Sequence, residues 1–388
     1  MRGASTLVAA VALASCSGLH EVSQEGVGLD DSVASFYLSP QTYNFGSPSY
    51  LILVSSDGST RAIRTSGMDN AQPIWTQAGL YFYDTNFDYF LNDSMHRRAN
   101  PKANRQDAAL VTANGAVVSL FNEGADDEGY HEHVIVAQGE ASAGVDVLGY
   151  TQTIAACGER VFAVAELSGR EFTRLAEARD VTKGDADQFP QMLTQLYPQN
   201  DSGQKLIAVE ASGEVNPPVG IVAPCQDDII SYLTWRSSSQ GDSLIIRQWN
   251  TLTGKSTERA VVDADGAPLR IGIDVFGAAT ISPMLDSRGR VVWFAGNGVM
   301  YGTDPTTGRT DVMWNSGLLN DATHQTAVAF QGEKVFLLEQ PNDDQSRPLT
   351  LYGRDVQTGE GGVILTIQGI NQLRSVSLVL RGLAVAPG

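Results

Sequence analysis

Short apolar runs, each closed by a polar or glycine-bearing turn, follow one another along most of the chain. A run of a few β-branched, aliphatic and aromatic residues bounded by Gly, Asp, Asn or Ser is the pattern of a strand in a meander. Such runs fall at residues 35 to 38, 50 to 55, 60 to 64, 80 to 84, 108 to 113 and 116 to 121. Ser56-Asp57-Gly58-Ser59 joins one pair and Asn114-Gly115 another, the second being a strong hairpin signal. From about residue 147 the order becomes regular, and residues 280 to 314 give the cleanest unit. There a run at 281 to 285 meets the turn Asp286-Ser287-Arg288-Gly289. Runs at 290 to 295, 299 to 303 and 310 to 314 follow, separated by Gly296-Asn297-Gly298 and Asp304-Pro305-Thr306-Thr307-Gly308.

The last of these turns belongs to a repeated phrase. Trp249-Asn250-Thr251-Leu252-Thr253-Gly254 and Arg354-Asp355-Val356-Gln357-Thr358-Gly359 share its form, and the glycines at 254, 308 and 359 are 54 and 51 residues apart. The side chain of Asn or Asp can bond its own backbone two residues on, and Gly accepts the positive φ that leads into the next strand. A four-stranded antiparallel unit recurring at this spacing is a propeller blade. Comparable units begin near 147, 219, 324 and, less cleanly, 72. Residues 50 to 64 form an outer half-blade and 375 to 387 an inner one, so joining the N- and C-terminal strands closes the ring. The expectation is an all-β propeller over residues 32 to 388, with six blades fitting best and seven next. Residues 171 to 212 have mixed periods, partly helical at 171 to 178 and 189 to 197, and read as an insertion between blade strands.

The ends and the cysteines add an address. Residues 4 to 14 are small and apolar with no acid, too short to span a bilayer and shaped like a secretory h-region. They lead into Leu13-Ala14-Ser15-Cys16, which resembles the lipobox of bacterial lipoproteins. That resemblance implies a signal peptide at residues 1 to 15 and a lipid on Cys16, the first mature residue. The polar residues 16 to 31 read as a tether to the membrane. Cys157 and Cys225 remain, an even number in an oxidising compartment. They end similar apolar runs and read either as a disulfide between neighbouring blades or as two separate buried thiols.

A net charge of −18 repels phosphate backbones, so nucleic acid is not an expected partner. His131 and His133 share one face of a strand beside Asp126, Asp127 and Glu128, but no third ligand is fixed by spacing and no metal is assigned. Asp185 and Asp187, like Asp263 and Asp265, lack the further oxygen ligands of a calcium loop. No nucleophile elbow or phosphate-cradling glycine loop is present, and no cofactor is expected. The densest aromatic stretch is Leu80-Tyr81-Phe82-Tyr83-Asp84-Thr85-Asn86-Phe87-Asp88-Tyr89-Phe90-Leu91, followed by His96, Arg97, Arg98, Lys102 and Arg105. Read as one strand it must face two sides, which makes Tyr81, Tyr83, Phe87, Tyr89, Arg97 and Arg98 a candidate binding surface. Alternatively, one face packs between blades and the loop from 92 to 106 covers the other.

The stretch from Asp286 through Trp293, Gly298, Tyr301 and Asp304 to Gly308 resembles the repeat of quinoprotein-like and sensor-type β-propellers, which implies a fold and not an activity. The expected function is a lipid-anchored, non-catalytic binding or scaffold module of the cell envelope, whose partner is an envelope protein or a polysaccharide. One alternative is a lipoprotein resembling the propeller subunit of the outer-membrane β-barrel assembly machinery, a family with eight more regular blades. Another is a lyase or glycosidase acting on polysaccharide in the funnel, which requires acids and histidines gathered at the funnel mouth.

Overall fold

The computed structural model describes residues 20–40, 48–168, 170, 189–199, 203–212, 215–216, 221–236, 243–319, 324–342, 344, 346–374 and 378–388. Seven separate sheets surround one axis. Blade 1 has Val379–Val385 innermost, then Ser32–Ser39, Ser49–Ser55 and Thr60–Thr65. Blade 2 runs Ile74–Thr76, Gly79–Tyr83, Phe87–Leu91, Met95–Ala99, and blade 3 runs Gln106–Val111, Val117–Ala125, Tyr130–Gln138, Ala141–Leu148. Blade 4 comprises Tyr150–Cys157, Arg160–Glu166, Phe189–Tyr197 and Lys205–Ser212. Blade 5 is built on Ile229–Arg236, Ser243–Asn250 and Ser256–Ala260, with short inner pieces at Val215–Asn216 and Cys225–Gln226. Blade 6 is Thr280–Leu285, Val291–Phe294, Val299–Thr303, Thr310–Asn315, and blade 7 is His324–Gln331, Lys334–Pro341, Leu349–Asp355, Gly361–Ile367.

The count of six is therefore corrected to seven. The extra blade comes from residues 74 to 148, read as one unit, which form two. The division falls between Met95–Ala99 and Gln106–Val111, and within blade 2 the turn is made by Asp84. Its carboxylate accepts the backbone N–H groups of Asn86 and Phe87, each at 2.8 Å, and turns the aromatic stretch into a hairpin instead of one strand. Met95–Ala99, expected as loop, is the outer strand of that blade. The reading of 171 to 212 as an insertion is also corrected, since Phe189–Tyr197 and Lys205–Ser212 are the third and fourth strands of blade 4. Residues 171 to 178 lie outside those described. Glu21–Val22, within the span read as tether, pairs in parallel with Thr60–Thr65, and Val27 is buried, so the folded body takes in residues 20 to 31.

Closure is a hydrogen-bonded seam between Ser32–Ser39 and Val379–Val385, in which Ala34 faces Val385 and Ser39 faces Val379. The apolar core sits between neighbouring blades and not in a single centre. One cluster joins blades 7 and 1 through Leu338, Leu351, Phe36 and Leu383, and others join each successive pair. Between blades 5 and 6 a one-turn helix, Ile273–Gly277, inserts Phe276, fully buried, edge-on against Trp235 at 5.9 Å and Trp293 at 5.7 Å. Burying a ring of this size stabilises by about 1.5–3 kcal/mol.

The repeated phrase is a turn in all three places. Asp304 accepts the N–H of Thr306 at 2.7 Å, Asn250 that of Thr253 at 2.8 Å and Asp355 that of Thr358 at 2.8 Å. Gly308 has φ +76°, and a Cβ there would stand 2.0 Å from the carbonyl oxygen of Ala260 in blade 5. Only glycine fits that position, because both its conformation and its space are closed to a side chain.

Candidate functional site

In blades 2 to 7 the innermost strand comes first in sequence, and in blade 1 the chain's last strand takes that place antiparallel to Ser32–Ser39, so the inner strands run the same way along the axis and surround a channel. Its volume is about 970 Å³ and every blade contributes to the wall. An inner strand such as the six-residue Gln106–Val111 sets a length of roughly 20 Å at about 3.3 Å per residue. Small and aliphatic side chains make most of the wall, among them Ala109, Ala156, Val222, Ile281, Ala327 and Leu383.

Polar side chains line both ends of the channel, with Thr112, Gln226 and Gln331 where the inner strands finish. Where the inner strands start, the wall holds Asn70, Gln72, Asp107 and Arg381. Asp107 accepts from Arg105 Nε at 2.8 Å and Asn122 Nδ2 at 3.1 Å, and Arg381 pairs with Asp69. Burial pushes the Asp107 carboxyl up from its ordinary range, and the Arg105 guanidinium opposes that shift. Where the strands end, the wall carries Val111, 39% exposed, and Met284, 52% exposed, both large for an apolar side chain to leave open. Met284 sits on a bulge. Ile281 faces Trp293 and Leu285 faces Val291, so four steps on the inner strand match two on its partner. Pro283 cannot donate to a ladder, which is why the strand leaves its register here.

A second irregularity lies in blade 5. Ile221–Ala223 pairs in parallel with the inner strand of blade 4, and beyond Pro224 the segment Cys225–Gln226 crosses to pair with Ile229–Arg236 of blade 5. Cys157 and Cys225 are bonded at this crossing, with Cα atoms 5.2 Å apart. Val222, Cys225 and Gln226 all line the channel, so the bond pins a piece of its wall.

Behind the wall lies an acid without a cation. Glu132 is fully buried and accepts the N–H of Thr151 at 2.8 Å and its hydroxyl at 2.5 Å. Burial pushes its carboxyl up to about 8, so it holds its proton at neutral pH. It has no exposed surface through which to serve a ligand in the channel.

The aromatic and basic candidates divide differently from the expectation. Tyr81, Tyr83 and Tyr89 are 1%, 1% and 3% exposed and belong to the core between blades 1, 2 and 3, so they form no binding surface. Phe87 is half-buried, with the Arg97 guanidinium 5.1 Å from its ring centre, while Arg97 and Arg98 are exposed. Lys102, expected in the basic patch, is buried. Its ammonium lies 3.0 Å from Asp88 and donates to the carbonyls of Asp84 and Asn100 at 3.0 and 2.7 Å. His131 and His133 bind Asp126 at 3.0 Å and Asp146 at 2.6 Å separately. Among the described residues no three His, Cys, Asp or Glu side chains gather as a metal site. Asp263 caps its own turn through the N–H groups of Asp265 and Ala267, while Cys16, Asp185 and Asp187 lie outside the described residues.

Residues 27–180 match the family model described as the YycP β-propeller domain. The match covers less than half the chain, from blade 1 into blade 4, where the sequence resembles the quinoprotein-like repeat least. No curated protein matches. Among solved structures, cobalt-substituted ACO from Synechocystis aligns with a TM-score of 0.51 at 9% identity over 94% of each chain. An ACO/RPE65 chimera gives 0.50 at 10% identity, again over 94% of each chain. A quinoprotein alcohol dehydrogenase-like protein of Bacteroides thetaiotaomicron gives 0.47 at 8%, covering 92% of this chain and 78% of that one. The chain is a β-propeller. At such identities likeness in fold carries no activity with it.

Sequence reasoning missed the channel residues Val111, Asp107, Met284 and Arg381. Only Met284 had a signal, Pro283 inside an otherwise strand-like run. The others acquire their place when the ring closes.

Proposed function

We propose that the protein is a non-catalytic binding module of the cell envelope, exported and held to a membrane by a lipid on Cys16, with its rigid ring engaging a protein partner. The observation that carries this is the channel wall. Among the described residues that line it, all are apolar or neutral apart from an acid and an arginine that are each already ion-paired, and none is a histidine. A polysaccharide lyase or glycosidase needs acids and a base free to face the substrate. The raised Glu132 is sealed away from the channel and does not meet that need. Seven blades also differ from the eight of the outer-membrane assembly propellers that size and anchor suggested.

The test is cross-linking in cells followed by purification from native membranes, comparing the full-length protein with Cys16→Ala. Stoichiometric recovery of one envelope protein with the wild type supports the reading, as does loss of membrane attachment in the variant. Recovery of no protein partner, together with cleavage of a polysaccharide by the pure protein, would refute it.

A further inference from the structure

We propose that the outer edges of blades 1 and 2 rest against a membrane surface of anionic phospholipid headgroups, so that the ring stands on its rim. This rests on the reading of Cys16 as the lipid-bearing residue and names the face that such an anchor turns toward the bilayer.

Chain length decides the distance. The carbonyl of His20 accepts the N–H of Ala62 at 2.9 Å, and from Glu21 the chain is paired to the outer strand of blade 1. Cys16 stands four residues before His20, so their Cα atoms are at most about 14 Å apart. Acyl chains on Cys16 hold that residue at the edge of the hydrocarbon, and the headgroup layer takes up about 6 Å of the reach. The docked strand therefore lies within roughly 10 Å of the membrane surface. An unpaired tether over residues 16 to 31 would have allowed about 50 Å, and the pairing of Glu21–Val22 removes that slack.

Charge decides the orientation. Arg64, Arg97 and Arg98 are exposed on the outer strands of blades 1 and 2. Gln24 ties the two edges together, donating to the carbonyl of Arg64 at 2.9 Å and accepting from Arg97 Nη1 at 3.2 Å. The acids of the same segments and their turns are Glu21, Glu25, Asp57 and Asp93, while Asp30 is engaged by Arg61 at 2.6 Å. This rim is close to charge balance, whereas the chain as a whole carries −18. An anionic surface repels that excess, and the repulsion is least when the excess points away. The Debye length of about 8 Å at physiological salt is similar to the remaining reach, so the rim charges are those the surface feels most. Guanidinium groups bond phosphate oxygens in pairs, which suits the neighbouring Arg97 and Arg98 to phospholipid headgroups. With the rim down, both mouths of the channel open sideways, clear of the bilayer and free for a partner.

The experiment uses the full-length lipidated protein in vesicles of phosphatidylglycerol mixed with phosphatidylcholine, or of phosphatidylcholine alone, each containing a headgroup spin-labelled lipid as quencher. Ala99→Cys on the blade 2 rim, Thr257→Cys on the blade 5 rim and Met284→Cys at a channel mouth each carry a bimane fluorophore; all three positions are exposed. On the anionic vesicles, quenching at position 99 should be at least about threefold stronger than at the other two. Adding Arg97→Glu with Arg98→Glu should lower it at least about twofold there, as should a tenfold rise in salt, with no such change on phosphatidylcholine alone. If that pair does not fold, Arg64→Glu with Arg98→Glu provides the same comparison. Equal quenching at all three positions, stronger quenching at the channel mouth, or a rim signal indifferent to the glutamates and to lipid charge would each overturn the proposal. Mass spectrometry of the same preparation separates it from the reading beneath it. A protein without lipid on Cys16 loses the distance argument and overturns both, whereas a lipidated protein whose rim is not quenched overturns this proposal alone.

Discussion

Replacing Glu132 by Gln gives a direct reading of a proton held inside the fold. In the folded chain burial keeps this carboxyl protonated up to about pH 8, against an ordinary value of 4.5. The sign follows from the direction of the shift. Below 4.5 both states carry the proton and the residue adds no pH dependence. Between 4.5 and 8 the unfolded chain releases it and the native chain does not, so stability falls by about 1.36 kcal/mol per pH unit. At pH 7 that amounts to roughly 3 kcal/mol, and glutamine, similar in shape and unable to ionise, escapes the loss. A chain of 388 residues has an unfolding entropy of about 0.8 kcal/mol/K, so the variant should melt about 4 °C above the wild type at pH 7. At pH 4 the two should coincide or the wild type should lead. The assay is differential scanning calorimetry of both proteins at unit steps from pH 4 to pH 8. A gap that does not change with pH would show that Glu132 does not titrate differently in the two states. A gap that turns toward the wild type as pH rises would mean that the carboxylate, not the acid, is the buried form.

Three further outcomes are expected. Lys102→Met leaves Asp88 buried without its cation and should cost about 3–5 kcal/mol in urea unfolding, with Lys102→Met combined with Asp88→Asn recovering part of it. Gly308→Ala forces a side chain toward the Ala260 carbonyl at positive φ and should cost about 1–3 kcal/mol by the same measurement, whereas Arg98→Ala should change stability by less than about 0.5 kcal/mol. Cys157→Ser opens a covalent loop spanning 68 residues, worth about 4 kcal/mol on chain-entropy grounds, and the same loss should appear in wild type unfolded under reductant.

The half of the architecture that obeys local turn chemistry was legible. Asn250, Asp304 and Asp355 bond their own backbones, so blades 5 to 7 announce themselves in sequence. The closing strand at 379 to 385 was visible because an inner half-blade at one end lacked a partner that the other end supplied. Blade 2 was hidden because the hairpin between its second and third strands turns on Asp84-Thr85-Asn86, with neither Gly nor Pro, inside an aromatic run. Buried tyrosines then looked like a surface. Residues 189 to 212 have no clean period, and their pairing with Arg160–Glu166, a tertiary fact, makes them strands. The channel was the least legible part. Ala109 and Ala327 are ordinary strand alanines until seven inner edges are set around one axis.

The seam in blade 1 also fixes when the protein becomes itself. Three of its strands lie near the start of the chain, but the innermost, Val379–Val385, emerges more than 300 residues later. Contacts so distant in sequence form slowly, because a long loop must close before any pairing rewards it. Blades 2 to 7 can stack in the order they are made, yet they remain an open arc with bare edges at blades 1 and 7. There is no enclosed axis until the final strand docks. Any molecule that occupies that axis therefore distinguishes a completed ring from every shorter product of synthesis, and the same seam is where the ring would first part under strain.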